Sequence, residues 1–467
     1  MGNRNRAFPQ GQRPMEEKDQ RAVTSPLANR TFRWLFAAQI WSLIGVGLLT
    51  VALSLAAYRI GGAEAGGQVL GMLLALKMVA YVMLAPLAEA LLSRQPRKRA
   101  LVLLDLGRML LLVPMIYVTE TWQIAGLAFA FFVLAAGFTP LFQSIIPDVL
   151  PEEETYTKAL AWSRVAYTLE AVLSPVIAAA LLNLASGEML FLAAAVSFLG
   201  SVVALLITNL PGRKTTDRKG PFLQRASLGL QIYRRTPRLR GLFLVNLALS
   251  LAMAWVLVNS VVYAGARLGD AEHYFPILMA FYGLGAGIGA VLVPRLLKRG
   301  SERSVMLAGA YGFALAGAGF AVLPAMPLPG LALVWLIFGA TSSLVLTPGG
   351  LVITRSAVSE DRAAVFAAQF SLSHAGWLMA YPLAGWLGGL VSLEMSLLIL
   401  CGAGAVVATI GMSIWPANDP LSRGHSHPDL PRDHPHLMRI PANGSQQRHV
   451  HDFYIDELHP RWTQEAV

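Results

Sequence analysis

Long apolar stretches alternate with short polar segments along most of this chain. A helix rises about 1.5 Å per residue, so about 20 apolar residues cross the hydrocarbon core of a bilayer. Stretches of this length recur from Trp34 to Trp415, and each is predicted to be a transmembrane helix. We predict twelve, with approximate bounds 34–58, 68–92, 100–119, 122–146, 161–184, 187–209, 241–265, 274–296, 304–324, 330–353, 364–390 and 393–415.

The composition supports a membrane protein over a large soluble one. The chain is 55% hydrophobic and 14% charged and contains 42 glycines, whereas soluble domains average about 25% charged residues. The expected fold class is therefore all-α, with twelve membrane-spanning helices.

The distribution of basic residues explains the net charge of +10. Most of the 37 Lys and Arg fall in the N-terminal segment and in alternate loops, whereas the other loops contain only Arg59 and Arg267. Basic residues of membrane proteins concentrate on the cytoplasmic side. Both termini are therefore predicted to be cytoplasmic, and the charge gives no reason to expect a nucleic-acid partner.

The two halves of the chain repeat one another. "RIGGAE" at 59–64 resembles "RLGDAE" at 267–272, an offset of 208, and Pro175 matches Pro382 at nearly the same offset. Two six-helix bundles of the same orientation are predicted, joined by a basic linker in which 222–235 has helical amphipathic spacing. The predicted parts are an N-terminal cytoplasmic tail (1–33), two bundles (34–209 and 241–416), the linker (210–240) and a His-rich cytoplasmic tail (417–467).

Two parallel halves are a known transporter architecture, in which substrate binds between them near the middle of the membrane. Over residues 30–416 the chain resembles the major facilitator superfamily. The segment "APLAEALLSRQPRKR" (85–99) partly matches the loop that follows the second helix in that family. "LLDLGRMLLL" (103–112) and "IIPDVLPEEE" (145–154) are similar to its exporter branch, which includes siderophore and macrolide efflux proteins. The resemblance implies a monomer in the bacterial inner membrane.

Three ionisable residues lie near the predicted mid-membrane depth, where such groups are costly and face a cavity or a partner. Glu170 is interpreted as a proton-coupling group, because a carboxyl group in an apolar cavity can load and release a proton near neutral pH. Lys77 is an alternative partner that would hold Glu170 ionised in a neutral buried pair. His374 is either a ligand or proton carrier or a hydrogen-bonded packing residue.

Asp105 and Arg108 lie nearer the predicted cytoplasmic end of the third span. Their spacing of three residues places them on one helix face. We interpret them as a structural charge pair that closes the cytoplasmic side together with Glu89 or Arg94, rather than as a substrate contact.

Seven of the nine histidines follow residue 420. Neutral imidazole binds Zn²⁺, Cu²⁺ and Ni²⁺ well, and such enrichment is typical of metal binding. The alternative is a solvated tail that binds nothing specific, apart from a predicted docking helix within 449–462. The predicted ligands are His425, His427, His434, His436, His449, His451 and His459.

Two functions remain open. The chain has no Gly-x-x-x-x-Gly-Lys-Ser/Thr phosphate loop, so nothing suggests ATP hydrolysis, and proton-coupled transport is the expectation. As a transporter the protein is not expected to be an enzyme. Twelve spans with a His-rich C-terminus resemble the nickel-resistance permeases of the superfamily, which implies export of Ni²⁺, and of Co²⁺ as well, in exchange for H⁺. The alternative is efflux of an organic drug, macrolide or siderophore, with a regulatory or incidental tail. No bound cofactor is expected under either hypothesis.

Overall fold

The protein is described from a computed structural model. It describes residues 25–84, 96–210, 222–323, 326–358, 361–426, 448–456, 458–459 and 461–462. Several predicted site residues therefore lie outside the described residues, namely Glu89, His427, His434 and His436.

Helices make up nearly all of the described chain. A 3₁₀ turn (Pro26–Ala28) precedes the first helix, and a π-helical segment (Ala80–Leu84) follows it. The α-helices are α1 (Arg30–Val79), α2 (Arg97–Met115), α3 (Thr121–Val149), α4 (Glu153–Leu182), α5 (Met189–Ile207), α6 (Phe222–Arg235), α7 (Pro237–Leu268), α8 (Ala271–Leu297), α9 (Glu302–Val322), α10 (Leu328–Leu346), α11 (Gly349–Thr354), α12 (Arg362–Leu390) and α13 (Leu393–Ile414). Two short strands follow, β1 (Ser422–Ser426) and β2 (Arg448–Asp452).

The helices confirm the predicted fold class. Where the chain is described, the predicted spans fall on these helices. Helix α1 with the π-helical segment carries the first span and residues 68–84 of the second, and the tenth span covers both α10 and α11. Within the described ranges, eight helical segments are long and apolar enough to cross a membrane by length and composition. The first of them, Arg30–Met83, contains the first predicted span and residues 68–83 of the second.

The predicted loop between the first two spans is helical instead. Helix α1 continues through it with one break at Gly62, which has φ +60 and ψ −157. Glycine adopts positive φ readily because it lacks a Cβ. The turn between the spans is therefore made by one residue.

Each half contains an equivalent ion pair between its first and last spans. Arg59, at the end of the first span, pairs with Glu188 at the start of α5. Arg267, at the end of α7, pairs with Glu394 at the start of α13 at 3.0 Å. The repeated "R-x-G-x-A-E" segments thus anchor the corresponding helices of each half, which supports the predicted repeat.

The halves meet closely at the end that carries the predicted outside loops. An added Cβ at Gly71 of α1 would lie 2.6 Å from the carbonyl oxygen of Tyr381 in α12. One at Gly67 would lie 2.5 Å from the Asn259 Oδ1 of α7. These α1 glycines let the backbones approach as small residues do in other membrane helix pairs. We call Gly67, Gly71 and Gly385 the glycine seam.

The C-terminal tail folds into a small hairpin rather than the predicted docking helix. Strands β1 and β2 are antiparallel, and His425 lies opposite His449. Successive residues of 448–452 lie on opposite faces of the strand, as in any β-strand. Beyond β2, Phe453 and Ile455 are buried. We call β1, β2 and the segment to Trp462, together with Asp419 before them, the tail hairpin.

The linker contains the predicted amphipathic helix. Helix α6 packs against α12, where an added Cβ at Gly229 would clash with the carbonyl group of Ala364. The Tyr233 hydroxyl donates a hydrogen bond to the Gln369 side chain. The linker therefore contacts the last part of the C-terminal half directly.

Candidate functional site

Side chains from both halves converge between α1, α3, α4 and α12. Lys77 lies near the end of α1, with its Nζ 5.7 Å from the centre of the Tyr81 ring and 5.9 Å from that of Phe132. The His374 ring of α12 lies 6.1 Å from Tyr81. With Glu170 of α4 these residues form what we call the central cluster: Lys77, Tyr81, Phe132, Glu170 and His374.

The structure brings together the three ionisable residues predicted for the central cavity. Lys77 acts electrostatically on both Glu170 and His374. All three remain half-buried, although they lie on helices that face one another. The three residues therefore form one electrostatic group on helices of both halves.

Lys77 does not pair directly with Glu170. Within the described chain no nitrogen of Lys77 lies within 4.0 Å of the Glu170 carboxylate. Its ammonium group instead faces two aromatic rings, an arrangement that stabilises a cation by about 0.5–2 kcal/mol. The neutral-pair alternative therefore lacks its direct contact, and the proton-coupling role of Glu170 stays a prediction.

His374 makes the hydrogen bond expected of its packing alternative, while its role as a ligand or proton carrier stays a prediction. Its Nδ1 lies 2.7 Å from the carbonyl oxygen of Phe370, and the two rings are 3.9 Å apart. A carbonyl oxygen only accepts, so Nδ1 carries the proton and Nε2 presents a lone pair. The packing contact thus orients a ring whose second nitrogen can accept a hydrogen bond.

Sequence reasoning missed Gly47 of α1, which makes room for Glu170. A Cβ at this position would lie 2.7 Å from Glu170 Oε1 and would overlap the Ser174 side chain. Gly47 is one of several glycines in α1 and carries no charge, so the sequence does not single it out. Only its position opposite α4 shows that it leaves room for the Glu170 side chain.

Asp105 and Arg108 form the predicted pair inside α2. Asp105 is fully buried and Arg108 is 2% exposed. The Ser201 hydroxyl of α5 donates to Asp105 Oδ2 at 2.6 Å, and the Arg108 guanidinium lies 4.1 Å from the Phe138 ring centre. The pair therefore joins α2 to α3 and α5, while the predicted contact with Glu89 stays a prediction.

Three of the seven predicted metal ligands cluster on the tail hairpin. The rings of His425 and His451 are 4.6 Å apart, and those of His425 and His459 are 4.7 Å apart. One ring nitrogen of each lies within 4.8 Å of one from each of the others. His449 belongs to β2, and the remaining three predicted ligands lie outside the described residues.

The tail hairpin is held against the C-terminal half by contacts that the sequence did not predict. Asp419 forms an ion pair with Arg238, at the start of α7, at 3.1 Å, and accepts a hydrogen bond from Arg423 at 2.8 Å. The Trp462 ring centre lies 5.1 Å from the Arg238 guanidinium and 4.7 Å from that of Arg423. The feature of the sequence that could have indicated these contacts is a tryptophan, Trp462, in an otherwise polar segment.

The sequence model of the Major Facilitator Superfamily matches residues 35–325 of this chain. An uncharacterized MFS-type transporter, YfiS, from Bacillus subtilis is 25% identical over 79% of this chain and 89% of its own length. Macrolide efflux protein A from Streptococcus pyogenes is also 25% identical, over 46% of this chain and 54% of its own length. These relatives support the exporter-branch resemblance and give no support to the nickel-resistance resemblance.

Solved structures agree in fold. The nucleoside transporter NupG superposes with a TM-score of 0.66 at 14% identity over 82% of this chain and 100% of its own. A D-xylose-proton symporter gives a TM-score of 0.63 at 14% identity, over 82% of this chain and 97% of its own. With its family model covering more than half of its length and its helices in the shared arrangement, the chain belongs to the Major Facilitator Superfamily of membrane transporters.

Proposed function

We propose that the protein exports organic compounds with aromatic or amphiphilic character, in exchange for protons. The observation that carries this proposal is the central cluster, in which two aromatic rings lie near the Lys77 ammonium group, His374 lies beside one of them, and Glu170 lies within electrostatic range of Lys77. Apolar walls with a few fixed polar groups are typical of small-molecule sites.

Glu170 is the proton-coupling residue of this proposal. It is a carboxyl group of the central cluster and has no direct ion-pair partner among the described residues. A proton that reaches Glu170 from outside would be released to the cytoplasm as the halves rock. Lys77, which acts on Glu170 electrostatically, would favour the release.

The packing of the halves supports loading from the cytoplasm. The glycine seam closes the end that carries the predicted outside loops. A transporter closed at that end accepts its substrate from the other side, as export requires. The macrolide efflux relatives are consistent with this direction.

The test is accumulation of erythromycin, as a macrolide, and of a fluorescent amphiphilic cation in everted membrane vesicles. We expect accumulation that collapses when the pH gradient is dissipated. Glu170→Gln should lower the gradient-dependent uptake by at least about tenfold, because it cannot exchange a proton. Glu64→Gln, an exposed glutamate outside the central cluster, is the matched control and should transport normally.

Two results would contradict the proposal. Uptake by Glu170→Gln at the wild-type rate would remove Glu170 from the coupling step. Failure of every organic probe, in vesicles that still contain the folded protein, would remove organic export itself.

Export of a divalent metal ion is the second candidate, and the clustered histidines of the tail favour it. The central cluster argues against it, since it offers one carboxylate and one imidazole where a metal pathway needs several ligands. Accumulation of ⁶³Ni²⁺ in the same vesicles, dependent on the pH gradient and lost in Glu170→Gln, would establish it.

A further inference from the structure

The three clustered histidines of the tail hairpin come from three separate segments. His425 lies on β1, His451 on β2, and His459 on the segment that returns beyond β2. In the strand register His425 faces His449, so His451 is its diagonal neighbour on the same face. The fold therefore gathers imidazoles that are up to 34 residues apart in sequence.

Each of these rings is oriented by an oxygen atom at Nδ1. The partners are the carbonyl oxygen of Arg423 for His425 (3.2 Å), that of Asp452 for His451 (2.7 Å) and Asp456 Oδ1 for His459 (2.8 Å). Carbonyl and carboxylate oxygens accept only, so each Nδ1 donates and each Nε2 presents its lone pair. This is the tautomer in which histidine binds a metal through Nε2.

Asp456 is the carboxylate partner of His459. Its Oδ1 accepts hydrogen bonds from the His459 ring at 2.8 Å and from the His459 backbone N–H at 2.7 Å. A carboxylate behind a histidine is a common second partner in metal sites, where it fixes the ring and strengthens the ligand.

The spacing of the nitrogens matches a metal site of this kind. His425 Nε2 and His459 Nε2 are 2.9 Å apart. With Nδ1 donating in both rings, neither Nε2 carries a proton, so this contact is favourable only when a proton or a metal ion lies between the two nitrogens. In tetrahedral zinc sites, metal–nitrogen bonds of about 2.0–2.1 Å separate the nitrogens by about 3.3 Å, so a small outward shift admits the ion.

We propose that His425, His451 and His459 bind one divalent transition-metal ion, and that this ion fastens the tail hairpin to the cytoplasmic face of the C-terminal half. Three neutral imidazoles suit Zn²⁺, Ni²⁺, Co²⁺ or Cu²⁺ and disfavour Mg²⁺ and Ca²⁺, which require oxygen ligands. The single cysteine, Cys401, is buried in α13 and cannot contribute a thiolate.

The ion would act on the whole tail because its ligands share a packed core with the docking contacts. The Phe453 ring lies 5.0 Å from both His425 and His459 and 5.5 Å from Trp462. Trp462 in turn lies against Arg238 of α7. Drawing the three histidines together therefore orders the segment that carries Trp462.

The test is calorimetric titration of the purified full chain, stripped with chelator, with ZnCl₂ and with NiCl₂. We expect one tight ion per chain. His425→Ala, His451→Ala and His459→Ala should each weaken it by roughly 100-fold, and Asp456→Asn by about 10-fold. His273→Ala, an exposed histidine far along the chain, is the matched control and should leave the affinity unchanged.

A combined variant, with His427, His434, His436 and His449 all changed to Ala, decides which histidines bind. It should keep the tight ion. If it loses that ion while the three single variants keep it, the site proposed here is wrong.

A separate measurement tests whether the ion fastens the tail hairpin to the C-terminal half. Metal should protect the tail from limited tryptic digestion, as read by mass spectrometry. Trp462→Ala should retain metal affinity yet lose about tenfold of that protection, and equal digestion with and without metal would overturn the fastening role. None of these measurements involves transport, so they stand or fall independently of the proposed export.

Discussion

Asp105 and Arg108 show what spacing alone can predict. Their separation of three residues places them on one face of α2, and the structure pairs them there. Spacing does not reveal Ser201 or the aromatic ring of Phe138, which complete their surroundings from other helices. Contacts within one helix follow from sequence, whereas contacts between helices depend on how the helices pack.

Breaking this pair should destabilise the protein strongly. Asp105→Asn leaves the buried Arg108 charge without its counter-ion, and losing one member of a buried pair costs about 3–5 kcal/mol. We expect a free energy of unfolding lower by this amount in denaturant titrations of detergent-solubilised protein.

The matched control is Arg267→Gln, which breaks the more exposed pair with Glu394. Exposed pairs contribute about 0–1 kcal/mol, so it should unfold nearly as the wild type does. Equal losses in the two variants would show that the burial of Asp105 and Arg108 does not set their contribution.

At the scale of the element, apolar periodicity predicted the membrane helices well. It failed where the backbone itself decides the conformation. Residues 59–67 are polar and glycine-rich and were assigned to a loop, yet α1 continues through them with a single break at Gly62. In the tail, aromatic residues at helical spacing were assigned to a helix, but β2 pairs with β1 instead. Strand pairing depends on a partner more than 20 residues away, which local periodicity cannot identify.

The glycine seam between α1 and α12 should control how tightly the outer end closes. Gly71→Ala places a methyl group 2.6 Å from the carbonyl oxygen of Tyr381, which is backbone and cannot rotate away. The helices must separate, so the open form at this end becomes more populated.

The measurement is labelling of Tyr81→Cys, in a Cys401→Ala background, by an impermeant maleimide added from outside. Gly71→Ala should raise the labelling rate about tenfold, equivalent to a shift of about 1.4 kcal/mol between the two forms. Gly319→Ala is the control, because an added Cβ there meets nothing within 4 Å. An unchanged rate in Gly71→Ala would mean that the seam does not limit opening.

At the scale of the whole molecule, the internal repeat and the charge distribution predicted a transporter of two parallel halves. Matching ion pairs of Arg59 and Arg267 follow directly from the repeated segments. The central cluster was predicted in part: depth within each span selected Lys77, Glu170 and His374. The rings around them and the space left by Gly47 depend on helix rotation, which depth does not determine.

Charge distribution also predicts the side of the membrane on which the termini lie. The structure places the tail beside Arg238, near the end of the basic linker, so tail and linker share one side. Green fluorescent protein fused after Val467 should fluoresce, and alkaline phosphatase fused there should be inactive. An active phosphatase fusion would reverse the predicted topology.

The contacts of the tail hairpin with the membrane helices, through Asp419 and Trp462, are made to Arg238 and Arg355 of the C-terminal half. If the two halves rock against each other during transport, this hairpin therefore moves together with the C-terminal half. The distance between a fluorophore on the hairpin and a second one on the cytoplasmic end of α2 would then change with every turnover. That distance would report the transport cycle directly.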